Sequence, residues 1–252
     1  MTAARRAAVM LVLALVLSGC AAVGERGQRE VPRKNPSATA PVNPSAGLSS
    51  VDSADPVIEP VSRRQWQEME AVGMVRPGCP VVRRGQLRSV RVSFMDFDGV
   101  KQRGQLVVNR DVAASVSRIF SSLYDARFPI RKMQPVEEYD GDANASLADD
   151  NTSAYNCRRE DQINAPFRES PHANGRAIDI NPFENPWKDL RCTCWFPSGD
   201  YRARKEAPGV ILRDGVVWKA FRREGWIWQN IDVPDYMHFD TGYPSEPFRS
   251  RP

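Results

Sequence analysis

The sequence predicts an α+β domain, and three stretches of it carry that prediction. Between Val90 and Val108 apolar and polar residues alternate on either side of Asp98-Gly99, the pattern of a β-hairpin. Val112, Val116, Ile119, Phe120 and Leu123 recur at helical spacing, which predicts a helix from Asp111 to Tyr124. A further helix is expected from Gly215 to Glu224, carrying Val217, Trp218 and Phe221 and closed by Gly225.

From the N-terminus, Arg5 and Arg6 precede an apolar run from Val9 to Leu17, and Leu17-Ser18-Gly19-Cys20 follows. A basic start, a short apolar run and small residues before a cut make a secretory signal. The run is too short for a comfortable membrane span. Its end resembles a bacterial lipoprotein signal, so residues 1–19 are expected to be removed and Cys20 lipidated. The protein is then exported and held by lipid on the outer face of the bacterial cell membrane. Residues 20–60 are rich in Pro, Ser, Ala and Gly and poor in large apolar side chains, the composition of a tether. The folded domain is expected over 61–252, long enough for one well-buried core.

Within it, Ser62 caps a short helix through Glu70 that ends near Gly73. Phe128-Pro129-Ile130 begins a strand, and the polar stretch Tyr139 to Asn156 is expected to be a long functional loop. Ala177-Ile178 suits a buried strand, and Trp226-Ile227-Trp228 suits another that leads toward His238. Export makes disulfides plausible among Cys79, Cys157, Cys192 and Cys194. Only one residue separates Cys192 from Cys194, so each is expected to pair with Cys79 or Cys157, in an order the sequence leaves open.

The formal charge of +4 falls to +2 when Arg5 and Arg6 leave with the signal. With no lysine- or arginine-rich run, nothing argues for nucleic acid as a partner.

The chemistry lies in two short segments. The chain has only two histidines. His172 stands in Ser170-Pro171-His172-Ala173-Asn174-Gly175-Arg176-Ala177-Ile178-Asp179, and His238 in Asp235-Tyr236-Met237-His238-Phe239-Asp240. A catalytic zinc needs three protein ligands and one open position. His172, Asp179 and His238 supply that set, and Gly175 permits a tight turn between the first two. Asp235, three residues before His238, is placed to act as general base.

Ser170, His172, Gly175, Ala177 and Asp179 match Ser-x-His-x-x-Gly-x-Ala-x-Asp, and Trp226, Trp228, Asp235 and His238 match the second signature of the same group. In these residues the chain resembles the zinc D-Ala-D-Ala peptidases: VanY-type carboxypeptidases, VanX-type dipeptidases and the related L-Ala-D-Glu endopeptidases. The resemblance spans about residues 125–245. It implies a hedgehog/DD-peptidase-like fold, a small antiparallel sheet with the ligands on one face and helices on the other. It further implies zinc on His172, Asp179 and His238, with Asp235 as base and a peptidoglycan stem peptide as substrate. Arg158, in Ser153-Ala154-Tyr155-Asn156-Cys157-Arg158, would hold the substrate carboxylate or the oxyanion. Ser170 and Trp228 would contact the substrate.

A D-alanyl-D-alanine carboxypeptidase is the leading expectation. An aspartate base, where the vancomycin-resistance members have glutamate, is reminiscent of the endopeptidases. A non-catalytic zinc-bearing wall-binding lipoprotein is the rival from another class. Serine D,D-peptidase chemistry is excluded because no lysine has a serine three positions before it. A His-Glu-x-x-His helix is also absent.

Overall fold

In the structure, a computed structural model describing residues 52–157, 170–229, 233–242 and 247–249, a long hairpin frames the fold. β1 (Val57–Pro60), β2 (Leu87–Met95) and β3 (Lys101–Asn109) form an antiparallel sheet in that order. β2 and β3 pair from Leu87↔Asn109 to Met95↔Lys101. Asp96 closes the turn between them by accepting N–H bonds from Asp98 and Val100 through Oδ1 (3.0 and 2.8 Å). β1 lies on the tether side of the boundary expected at Val61. It is an edge strand, the place in a sheet where a proline such as Pro60 is tolerated. The signal sequence, Cys20, most of the tether and Arg158 lie outside the described residues.

α1 (Arg63–Ala71) starts at Ser62, whose side chain accepts the Gln65 N–H (3.0 Å). α2 (Ala113–Asp125) follows the predicted apolar period. It buries Val116, Ile119, Phe120 and Leu123 in one core with Val90, Val92, Leu106 and Val108 of the hairpin. The strand expected at Phe128-Pro129-Ile130 is displaced. Pro129 has no N–H to give a ladder and forms only an isolated bridge with Met95. The strand itself is β4 (Lys132–Met133), paired in parallel with β5 (Asn151–Thr152).

The expected loop from Tyr139 to Asn156 is a second correction. It contains α3 (Ala143–Ala148) as well as β5. Asp142 caps α3 by accepting the N–H groups of Asn144 and Ala145 (2.8 and 3.1 Å), and alanine at 143, 145 and 148 suits the helix.

β6 (Ala177–Asp179) is followed by β7 (Trp187–Asp189) and β8 (Cys194–Phe196), which form a small hairpin. Then come α4 (Val216–Arg223), β9 (Ile227–Trp228) and β10 (His238–Asp240). β10 lies between β6 and β9 and is antiparallel to both. Ile178 and Phe239 are partners in that ladder and join the main core. There Phe221 of α4 stacks on Phe239 with centroids 4.0 Å apart. Period-two alternation therefore sends His238, Asp240 and Asp179 to the other face.

The disulfides correct the expected pairing: Cys79 joins Cys157 and Cys192 joins Cys194. Cys79 and Cys157 sit together in a second apolar cluster with Met69, Met74, Val81 and Tyr155, away from the β7–β8 turn. Cys192 and Cys194 lie at that exposed turn, with Cα atoms 5.1 Å apart.

Beside the second cluster Glu137 is buried. It accepts one bond from Gln65 Nε2 (2.7 Å), while its Oε2 has no partner among the described residues. Burial pushes its carboxyl up to about 7 from an ordinary 4.5. Because the folded-state value is the higher one, stability is full below about pH 4.5 and is lost as pH rises through 7. The loss is at most roughly 3 kcal/mol. Glu137→Gln is therefore expected to match the wild-type Tm at pH 5 and exceed it at pH 8. Equal Tm differences at the two pH values, by calorimetry, would count against this account.

Candidate metal centre

The centre begins at a tight turn. Ser170 leads into a 3₁₀ turn, Pro171–Asn174, and its carbonyl accepts the Ala173 N–H (3.0 Å). Gly175 ends the turn at φ +69°. A Cβ there would stand 2.7 Å from the backbone nitrogen of Asn109, whose N–H donates to the Gly175 carbonyl (2.8 Å). Both the dihedral and the close approach to β3 require glycine. The turn buries His172, and β6 then carries Asp179 to its place.

β10 sets His238 directly opposite Asp179. Nε2 of His172 lies 3.1 Å from Nδ1 of His238 and 3.2 Å from Oδ2 of Asp179. Nδ1 of His238 lies 3.1 Å from Oδ1 of Asp179. The three residues are the one cluster among the described residues that could hold a metal ion. Zinc bonds of about 2.0–2.1 Å in a tetrahedron separate ligand atoms by roughly 3.3 Å. The observed spacing fits that geometry to within a few tenths of an ångström.

The outer ring nitrogens are engaged in a way that frees the inner ones. Nδ1 of His172 lies 2.7 Å from the Ala154 carbonyl, which can only accept, so the proton sits there and the Nε2 lone pair faces the cluster. Nε2 of His238 lies 3.0 Å from Oδ2 of Asp240, which leaves Nδ1 facing the cluster. Asp240 is fully buried and also accepts the Gly242 N–H through Oδ1 (2.8 Å). A carboxylate behind a ligating imidazole fixes its tautomer and raises its basicity. Asp240 was not among the residues singled out from the sequence. The available signal was its position two residues after His238, on the same face of a strand.

Electrostatics favour a cation here. Burial alone would raise the Asp179 carboxyl, but the two imidazoles outweigh it and hold the group well below the usual carboxylate range. For His238 burial works against charge, yet hydrogen bonds to Asp179 and Asp240, with the charges of Asp179 and Asp235, push it up to about 10. Acidic groups thus dominate the centre and attract positive charge, whether a proton or a metal ion.

The other residues singled out from the sequence are spread around this centre. Asp235 is half-buried, bridges to Trp187, and accepts the His238 N–H through its carbonyl (3.3 Å). Trp228 packs on the core: its ring stacks on Phe239 at 6.2 Å, and its indole N–H donates to the Tyr236 carbonyl (2.9 Å). Trp226 is buried and donates to Ser115 Oγ (2.9 Å). The structure brings His172, Asp179 and His238 together, with Asp235 near enough for its charge to act on His238.

Asp240→Ala is expected to weaken zinc binding about 10- to 100-fold with the secondary structure unchanged. Competition against a chelating dye measures the affinity. Retention of full affinity would remove Asp240 from the centre.

Residues 164–241 match the family model described as D-alanyl-D-alanine carboxypeptidase. The match covers the turn, β6 and β10, hence His172, Asp179 and His238. No curated protein and no solved structure matches the chain. The segment that supplies the potential metal ligands is therefore similar to the D-alanyl-D-alanine carboxypeptidases, a family of zinc peptidases.

Proposed function

We propose that the protein is a zinc-dependent peptidase that hydrolyses peptidoglycan stem peptides, foremost as a D-alanyl-D-alanine carboxypeptidase. The observation that carries this function is the triad of inner donor atoms on His172, Asp179 and His238. They stand at zinc spacing, within the matched segment, with the outer imidazole nitrogens already engaged. Zinc, when bound, supplies Lewis acidity toward the scissile carbonyl and lowers the pKa of water toward neutrality.

The chain's own residues do the rest. His172, Asp179 and His238 hold the ion. Asp235 accepts the proton of the attacking water and returns it to the departing amine as the peptide C–N bond breaks. Arg158 receives the substrate carboxylate or steadies the developing oxyanion, and Ser170 helps to position the substrate. The signal ending at Cys20 supports export and lipid anchoring on the outer face of the membrane, where wall peptides are found. An aspartate rather than a glutamate at position 235 favours a second specificity, cleavage between L-Ala and the D-glutamyl residue.

The zinc-loaded protein incubated with purified muropeptides is expected to release terminal D-alanine, identified by mass. Asp235→Ala should keep its zinc and lose about 100-fold or more in rate. His172→Ala should lose both metal and activity. Scission between L-Ala and the D-glutamyl residue would assign the endopeptidase specificity. Stoichiometric zinc with no cleavage of any stem peptide would overturn the peptidase function in favour of a binding protein.

A further inference from the structure

The small β7–β8 hairpin brings its own side chains to the candidate base. The Lys188 N–H donates to the Pro234 carbonyl (2.8 Å) and the Tyr236 N–H to the Pro186 carbonyl (3.3 Å). These two bonds bracket Trp187 and Asp235, which face each other in an antiparallel bridge. Trp187 and Asp235 are thus a non-hydrogen-bonded pair, the kind that brings opposing side chains closest, on one face. Phe196 of β8 is the partner of Trp187 on its other side. Phe196, Trp187 and Asp235 therefore stand in one row across that face.

The opposite face is already filled. There Trp195 stacks on Tyr236 with centroids 5.6 Å apart, and the Arg204 guanidinium lies 4.4 Å over the Tyr236 ring. The row that holds Asp235 has no such cover. Among the described residues neither Trp187 nor Phe196 stacks on another ring. The Arg191 guanidinium, 6.0 Å from the Trp187 ring, is held by Asp189 (2.6 Å). All three side chains of the row are half-buried, whereas His238, on which the Asp235 charge acts, is buried. The row thus leads from the surface to the metal centre.

We propose that Trp187 is a specificity-determining residue whose indole, extended by Phe196, walls the pocket for the side chain of the leaving residue. This rests on the peptidase function proposed above, in which Asp235 returns a proton to the departing amine. A proton donor stands about 2.6–3.2 Å from the atom it protonates. The amine of the leaving residue is therefore held against Asp235, and the α-carbon bonded to it lies among the neighbours of Asp235 in the row. A flat apolar wall at that point takes a small apolar side chain, such as the methyl of alanine, and limits larger ones.

The test measures kcat/KM of the zinc-loaded protein on stem peptides that differ only in the residue after the bond wild type cuts: glycine, D-alanine, D-leucine or D-phenylalanine. Wild type is expected to favour D-alanine over D-phenylalanine by about 10- to 200-fold. Trp187→Ala should shrink that preference about tenfold, by gaining on the large residues relative to D-alanine, with zinc content intact. Trp187→Phe should keep most of it. If the alanine variant does not fold, Trp187→Leu is held to the same outcome as the alanine variant. A preference unchanged or widened in the variant, or a loss of rate equal on all four peptides, would overturn the wall and leave the peptidase function standing. A zinc-bound wild type that cleaves no stem peptide would overturn both.

Discussion

The antiparallel pairing of β6 with β10 is the constraint on which the centre depends. Its register sets His238 against Asp179, Phe239 against Ile178 and Asp240 against Ala177. A slip of one residue would carry Phe239 to the polar face and His238 into the core. Burial of Phe239 and Ile178 against Phe221 opposes that slip, each side chain contributing about 1.5–3 kcal/mol. Apolar packing on one face of the sheet therefore holds the chemistry on the other. The pairing brings His238 and Asp179 to 3.1 Å, and the turn closed by Gly175, with the Ala154 carbonyl, adds His172.

The same pairing concentrates acid. Asp179 and Asp240 are both buried, and they share a face with His238 between them. Buried carboxylates are costly unless matched by positive charge or hydrogen bonds. The imidazoles and the Gly242 N–H meet part of that demand, and the raised affinity of His238 for a proton expresses the remainder. A divalent cation at the inner donor atoms would satisfy it without a proton, which links metal binding to the stability of this part of the fold. Metal and protons compete for the same donor atoms, so acid conditions work against the metal.

Much of this could be read from the sequence because it was periodic or rare. The hairpin and α2 follow simple apolar periods, and two histidines in 252 residues leave few ways to build an imidazole site. What escaped had no such signal. The Ala154 carbonyl that orients His172 is backbone, and any residue supplies one. Asp240 had a positional signal, but it gains meaning only once β10 is known to be a strand. α3 was hidden by polar composition, although Asp142 before an alanine-rich run is a helix start. The disulfide partners depend on which cluster each cysteine joins, a non-local property that spacing does not encode.

The parts outside the matched segment have a physical task of their own. Residues 164–241 contribute the three donor side chains, but the carbonyl that fixes the His172 tautomer comes from Ala154. So does the main chain that brackets Asp179, through Ser153. That strip is fastened from the N-terminal side. Cys157 is bonded to Cys79, and Tyr155 donates to the Met74 carbonyl (2.7 Å). Tyr155 N–H also bonds the Val107 carbonyl of β3 (2.9 Å). A crosslink between residues 78 apart restricts the unfolded chain by on the order of 4 kcal/mol in the chain-entropy model. It acts beside the strip that orients the first imidazole. The hairpin, the 74–79 segment and the disulfide are thus the outer support of the candidate metal centre, and the matched segment alone lacks the backbone that positions its own first imidazole.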